Sequence, residues 1–268
     1  MLEGNAIDEM TSFVCNKIQF MTPPKDCEVV IGSTPVVSFG DFMNAKVGTL
    51  GINPSSREFL DSANGSLLKP QLKRLADAES LGFWPEDPLD IEAESSSLSY
   101  SDAIQIWEKC RDYFKSPNAY WTWFKDLEKI LQAMGFSYVD GSACHLDLSP
   151  WATDPVFSGL NKVQQQKLLL GESDFLCWQI AKSPIEKIVF NSVQAYECLQ
   201  SLDAFGIEKV REINYTSGGG KRKSDLFSGY SPDGTLILGW SLNLQALQAT
   251  VEEKEDVFNQ LGEWLRGH

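Results

Sequence analysis

Lys46-Val-Gly-Thr-Leu-Gly-Ile-Asn-Pro-Ser55 is an apolar run that ends in a sharp stop. Val47 to Ile52 has the composition of a short buried strand. Pro54 has no N–H to give a sheet ladder, and it biases Asn53 away from the helical region. The strand therefore ends at Asn53, whose amide projects from its carboxyl end. In open α/β sheets, ligands bind at that end of the strands. Gly51 has no Cβ and lets a ligand or another backbone come close.

The flanking chain alternates between helical and extended patterns. Apolar positions at Ile7, Met10, Phe13, Val14 and Ile18 suit an amphipathic helix over residues 5 to 20. Residues 27 to 40 read as extended and broken by Pro35. Helices are expected over 101–116, over 119–134 with Gly135 as the cap, over 161–182, over 192–205 and over 247–265. Strands are expected up to Leu148, from Glu186 to Phe190 with Asn191 at the end, and from Thr235 to Leu238. A further strand pair brackets Thr216 to Lys223. This alternation implies a single α/β domain over residues 1–268 with a largely parallel sheet.

Composition narrows the function classes. The chain has 268 residues, 43% hydrophobic and 22% charged, with a net charge of −14. No run of 18 apolar residues suggests a membrane span. The acidic start, Met1-Leu-Glu-Gly-Asn-Ala-Ile-Asp8, lacks the pattern of a signal peptide, so a cytoplasmic location is expected. Six cysteines are scattered without metal-ligand spacing and read as small buried apolar residues. Only His145 and His268 are histidines, which leaves little for a triad or a His-rich metal site. No cofactor is expected. Between Leu75 and Glu108 there are nine acidic residues and no Lys or Arg. Residues 82–98 read as an irregular acidic insertion, either a solvated loop or a surface that repels DNA. Against this acidity stands one basic cluster, Lys221-Arg-Lys223, beside Gly218-Gly-Gly220. It is either a solvated hairpin tip or a loop that grips a phosphate backbone.

Three strand ends carry polar residues that a parallel sheet would gather along one edge: Asn53-Pro54, Asp147-Leu-Ser-Pro150 and Gly239-Trp-Ser-Leu-Asn243. Gly51-Ile-Asn-Pro-Ser55 resembles the first active-site motif of the uracil-DNA glycosylase superfamily. It is closest to the mismatch-specific and single-strand-selective branches, which carry Gly-x-Asn-Pro-Gly where the commonest uracil enzymes carry Gly-Gln-Asp-Pro-Tyr. Asp147-Leu-Ser-Pro150 has the form of the Asn-x-Cys-Pro motif whose Asn reads the pyrimidine edge. Ser241 matches the Ser of the last motif, and Lys187-Ile-Val-Phe-Asn-Ser192 is similar to the family's third strand. The likeness spans roughly residues 45 to 245.

The resemblance implies a three-layer α/β/α sandwich on a central mostly parallel sheet, and a metal-free, monofunctional DNA glycosylase that acts as a monomer on a base flipped out of the stack. Asn53 would position water, and Asp147 would read the base. Gly51, Ile52, Pro54, Ser55, His145 and Asn191 would line the base site. Lys221, Arg222, Lys223, Ser241, Leu242 and Asn243 would contact DNA, with Leu242 or Leu244 as the wedge in the vacated stack. The chain departs from the family in two places. Gly239 or Trp240 stands where the catalytic His belongs, and no aromatic stands where one usually stacks on the base. His145 or backbone N–H groups would replace the first; Phe59, Phe83 or Trp84 would replace the second.

Glycosidic cleavage develops positive charge on the sugar and negative charge on the base, so it needs preorganised donors and an oriented water. The amide of Asn53 holds water but cannot take its proton. Ser55 is small where the common enzymes use Tyr against C5. A carboxylate at position 147 only accepts, so it suits the amino group of cytosine and repels O4 of uracil. Together these favour a C5-modified cytosine, as occurs in phage DNA, which suits a defence role; ordinary uracil repair is the other outcome. A protein of the same fold that binds nucleic acid or a nucleotide without cleaving it is the alternative reading.

Overall fold

The computed structural model describes residues 2–83, 98–202 and 204–268. In chain order it contains α1 (Leu2–Phe20), β1 (Val47–Gly51), α2 (Tyr100–Arg111), α3 (Trp121–Ala133), β2 (Ala143–Asp147), α4 (Lys162–Gly171) and α5 (Ser173–Lys182). There follow β3 (Lys187–Asn191), α6 (Val193–Gln200), β4 (Gly206–Ser217), β5 (Gly220–Tyr230), β6 (Leu236–Trp240) and α7 (Val251–Arg266). These fall into two compact units that alternate along the chain. Met1–Phe39, Asn53–Ala119 and Ser149–Gly171 form one, and Gly40–Ile52, Tyr120–Leu148 and Glu172–His268 form the other.

The second unit holds the whole six-stranded sheet, in the order β2-β1-β3-β6-β5-β4. β2, β1, β3 and β6 run parallel; β5 and β4 close that side as an antiparallel hairpin. The fold is therefore mixed α/β on a mostly parallel sheet. Every residue of β1 is buried, as expected of a central parallel strand covered on both faces. α6 packs on β3 and β6, and α7 packs on β4 and α3. A capping box between Thr250 and Glu253 starts α7. Gly135, at φ +85°, ends the α3 segment as its sequence implied, and the N–H of Phe136 returns to the carbonyl of Leu131.

In the first unit α1 packs on α2; Val14, Cys15 and Ile18 of α1 and Ile106 and Trp107 of α2 are buried. Ser99 and Asp102 form the capping box of α2. Residues 27–40 form no strand; Val29, Ser33 and Phe39 sit in single bridges, the first two to Thr153 and Asp77.

Several expectations change. The helix over 161–182 is two helices, because Gly171 weakens the pattern and Glu172 leaves the helical region at φ −130°. The helix over 192–205 stops at Gln200, whose side-chain amide donates to the carbonyl of Ile207. The basic cluster is not in a loop. Gly218 and Gly219, at φ +59° and +75°, make the whole two-residue turn, and Lys221 to Lys223 already belong to β5. Residues 84–97 of the acidic insertion lie outside the described residues.

Candidate active site

Register assembles the centre of the site in the sheet unit. Thr49 of β1 lies beside His145 of β2, and Gly51 lies beside Asp147. Side chains two apart on a strand share a face, so Thr49, Gly51, His145 and Asp147 all belong to one face. The His145 Nδ1 is 2.7 Å from the Thr49 hydroxyl, and its Nε2 is 3.3 Å from Oδ1 of Asp147. The Thr49 hydroxyl is also 2.5 Å from the phenol oxygen of Tyr138. Burial raises the Tyr138 pKa well above that of an ordinary phenol, although the Thr49 hydrogen bond pulls the other way. Tyr138 is thus a protonated hydroxyl at neutral pH.

Helix α3 covers this row. The rings of Trp123 and Phe124 meet the imidazole edge-on, with centroids 4.8 and 5.3 Å away. The His145 and Asp147 side chains are only 2% and 3% exposed. Oδ2 of Asp147 is nevertheless buried without a hydrogen-bond partner among the described residues. An acceptor buried without a donor costs about 1–3 kcal/mol, more when charged. Gly51 is the counterpart of this arrangement. A Cβ there would stand 2.8 Å from Nε2 of His145 and closer still to Oδ1 of Asp147. The close approach that Gly51 permits is therefore by these two side chains, not by a ligand directly.

At the ends of β3 and β6 the polar atoms serve the fold. Oδ1 of Asn191 accepts from Nε1 of Trp240 at 2.8 Å and from the N–H of Leu244 at 3.1 Å. Its Nδ2 donates to Gln245 at 2.6 Å, and Gln245 in turn donates to the carbonyl of Trp123. Asn191 is thus a tether for the turn after β6 and for α3, which corrects its assignment to the base. Gly239 and Trp240 lie within β6 and are sealed. A Cβ on Gly239 would run into the ring of Phe190, and Trp240 is fully buried. No imidazole fits at 239.

The hairpin side has its own groove, of about 370 Å³, lined by residues including Arg222, Lys223, Ser241, Leu242 and Asn243. Five residues expected to touch DNA thus come together. The Ser241 hydroxyl accepts from the N–H of Asp225 at 2.9 Å, and the Asn243 side chain caps the 3-10 turn Leu244–Ala246. Lys221, Arg222 and Lys223 are all exposed, and Lys223 forms an ion pair with Glu212 at 2.5 Å. The wedge assignment fails: Leu242 is 9% exposed and Leu244 fully buried, so neither projects.

Asn53 belongs to the other unit, and there the chain organises it separately. Its Nδ2 donates to the carbonyl of Trp151 at 3.0 Å and contacts Oγ1 of Thr153 at 3.1 Å. A carbonyl only accepts, so the amide nitrogen must face it and Oδ1 is left as an acceptor with no protein donor among the described residues. Pro54 is buried, Ile52 (the last residue of its segment of the sheet unit) is half-buried, and Ser55 caps the 3-10 turn Ser56–Glu58 and bridges to Thr153.

Phe59 is 2% exposed and is removed as a stacking residue; Phe83 is 38% exposed, and Trp84 is outside the described residues. Sequence reasoning missed Thr49, Tyr138 and Trp123. The signal for Thr49 was a polar residue two before Gly51 in an otherwise apolar strand, matching the spacing of His145 and Asp147. Trp123 lies in α3 and is half-buried, its ring edge-on to the imidazole of His145. His145 itself has both nitrogens engaged, so it reaches a ligand only through Asp147 and does not replace the missing His directly. No family model matches the chain, and no curated protein matches it in sequence.

Proposed function

We propose that this chain is a DNA glycosylase of the uracil-DNA glycosylase type that removes a pyrimidine bearing an exocyclic amino group, with C5-modified cytosine favoured. The observation that carries this reading is Oδ2 of Asp147, a buried acceptor with no donor among the described residues, at the carboxyl end of a parallel strand. A cytosine amino group supplies the missing donor; the O4 of uracil would set acceptor against acceptor. The small Ser55 in place of Tyr is the reason to expect a substituent at C5. Asn53 holds the attacking water through its unused Oδ1. The water oxygen bonds to C1′ of the sugar, the glycosidic bond breaks with its electron pair on the base, and the water proton passes to solvent or to the departing base. Trp123 is the aromatic best suited to lie against that base.

The test is side-by-side excision from DNA containing uracil, cytosine or C5-modified cytosine, read as abasic sites. Release of modified cytosine with little release of uracil is expected, and Asp147→Asn moves preference toward uracil because an amide can also donate. Robust release of uracil with none of modified cytosine would overturn the reading. A second reading, binding without cleavage, is favoured by the sealed positions 239 and 240; it predicts tight binding and no abasic sites at all.

DNA contact at the hairpin gives a second expectation. Each neutralised phosphate contact lowers the slope of log affinity against log salt by about 0.9 on duplex DNA and about 0.7 on single strands. Because Lys223 is paired with Glu212, replacing Lys221, Arg222 and Lys223 together should flatten the slope by about two contacts rather than three. Binding isotherms at several salt concentrations measure this, and an unchanged slope returns the hairpin to a solvated surface feature.

A further inference from the structure

The groove beside the β4–β5 hairpin offers a ligand an aromatic ring and hydrogen-bond donors together. Tyr215 of β4 stands directly opposite Arg222 of β5 in the antiparallel register, so their side chains share one face of the ribbon. By the same alternation Lys221 and Lys223 belong to the other face, where Lys223 is paired with Glu212. The cation beside Tyr215 is therefore Arg222. Tyr215 is half-buried and Arg222 exposed, and neither side chain has a hydrogen bond, ion pair or ring contact among the described residues. Across the groove, Oδ1 of Asn243 accepts from the N–H groups of Gln245 and Ala246, which leaves both N–H of its amide as unused donors. Leu242, Ala246 and Leu247 add apolar wall. Among the described residues no carboxylate lines this groove, in a chain of net charge −14. The groove is also held in shape. The Ser217 hydroxyl donates to the carbonyl of Gln248 at 2.6 Å, and the Gln260 amide donates to the carbonyl of Asn214 at 3.1 Å.

We propose that this groove takes one unpaired nucleotide of a DNA strand, with its base on the ring of Tyr215 and its phosphate held by Arg222 and the Asn243 amide. A guanidinium and an amide N–H can only donate, and a phosphate oxygen can only accept. The ring and the aliphatic wall match the flat apolar face of a base. Stacking uses a face that every base has, so the site tolerates any sequence. A base inside a duplex is already stacked on both faces and cannot reach Tyr215; a duplex meets this groove through phosphates alone. The volume of about 370 Å³ lies near the lower end of the range for small-ligand sites, about 300–1,000 Å³, and suits a single nucleotide. The chain should therefore prefer single-stranded or locally opened DNA. This rests on the reading of the substrate as DNA, but not on which base is removed.

The test is the affinity of the full chain for fluorescent probes of equal length: an oligothymidylate strand, the same strand in a duplex, and an abasic strand that keeps the phosphates and lacks the bases. The oligothymidylate is expected to bind most tightly. Tyr215→Ala should weaken it about ten- to a hundredfold, the scale of one base–aromatic stack, and leave the duplex and the abasic strand unchanged. Tyr215→Phe keeps the ring and should keep the wild-type affinity. Arg222→Gln should weaken all the probes and lower the salt slope on single strands by about 0.7. The inference is overturned if Tyr215→Ala binds the oligothymidylate like wild type, or if it weakens every probe equally. It is overturned as well if thymidine monophosphate binds as tightly as the strand, which would make the groove a site for free nucleotides. If Tyr215→Ala does not fold, Tyr215→Leu, which keeps an apolar filler without a ring, decides the matter. Abasic-site assays on the wild type separate this inference from the glycosylase reading. Strand binding that depends on Tyr215, with no excision, keeps the groove and removes the glycosylase; excision with strand binding indifferent to Tyr215 does the reverse.

Discussion

Asn53→Ala is expected to slow base release by about 10²- to 10³-fold, or about 3–4 kcal/mol, the loss that follows removal of one preorganised polar group at a reacting centre. The geometry around Asn53 sharpens this expectation. Its amide nitrogen is held by Trp151 and Thr153, so the carbonyl oxygen is fixed in one orientation before any ligand arrives. The same contacts mean that the variant also loses about 1 kcal/mol of stability for each hydrogen bond. Excision is therefore compared with wild type well below the variant's melting temperature, with denaturant melts as the stability control. Asn53→Asp should not restore the acidic form of the motif. One carboxylate oxygen would face the Trp151 carbonyl, acceptor against acceptor, and the variant should be less stable than wild type. A wild-type rate in Asn53→Ala removes Asn53 from the mechanism.

Gly239→Ala is expected to lower stability by about 1–3 kcal/mol or more, the usual cost of forcing added volume into a packed core. The added Cβ meets ring carbons of Phe190, which is fully buried. That ring cannot step aside easily, because it already packs with Tyr196 and Phe227 at 6.2 and 5.8 Å between centroids. Phe190→Leu opens room, so the double variant should be more stable than the sum of the two single losses predicts. Urea denaturation of the four proteins measures the coupling. Full stability of Gly239→Ala would mean that the position tolerates a side chain, and the argument against an imidazole there would lapse.

Periodicity and breakers were enough to locate the elements that matter. Pro54 and Pro150 mark the carboxyl ends of β1 and β2, and the apolar runs in β1, β3 and β6 read as buried parallel strands. Those signals are local: a missing N–H, a restricted φ and an alternation of side chains do not depend on the rest of the chain. The mixed α/β class and most helix positions follow from them. The split at Glu172 did not, because one glycine in an otherwise helical pattern has no fixed consequence until packing acts on it.

The chemistry of individual residues was decided by tertiary structure. Sequence places His145 and Asp147 two apart on a strand, but only the parallel register with β1 brings Thr49 and Gly51 beside them. Asn191 and Asp147 look equivalent as polar residues at strand ends. One has its carbonyl oxygen filled by Trp240 and Leu244, and the other keeps a buried oxygen with no donor among the described residues. Leu242 looks like a wedge in sequence and is a core residue in the fold. Residue type determines what a side chain can donate or accept; the neighbours folded against it determine which of those capacities is left over for a ligand.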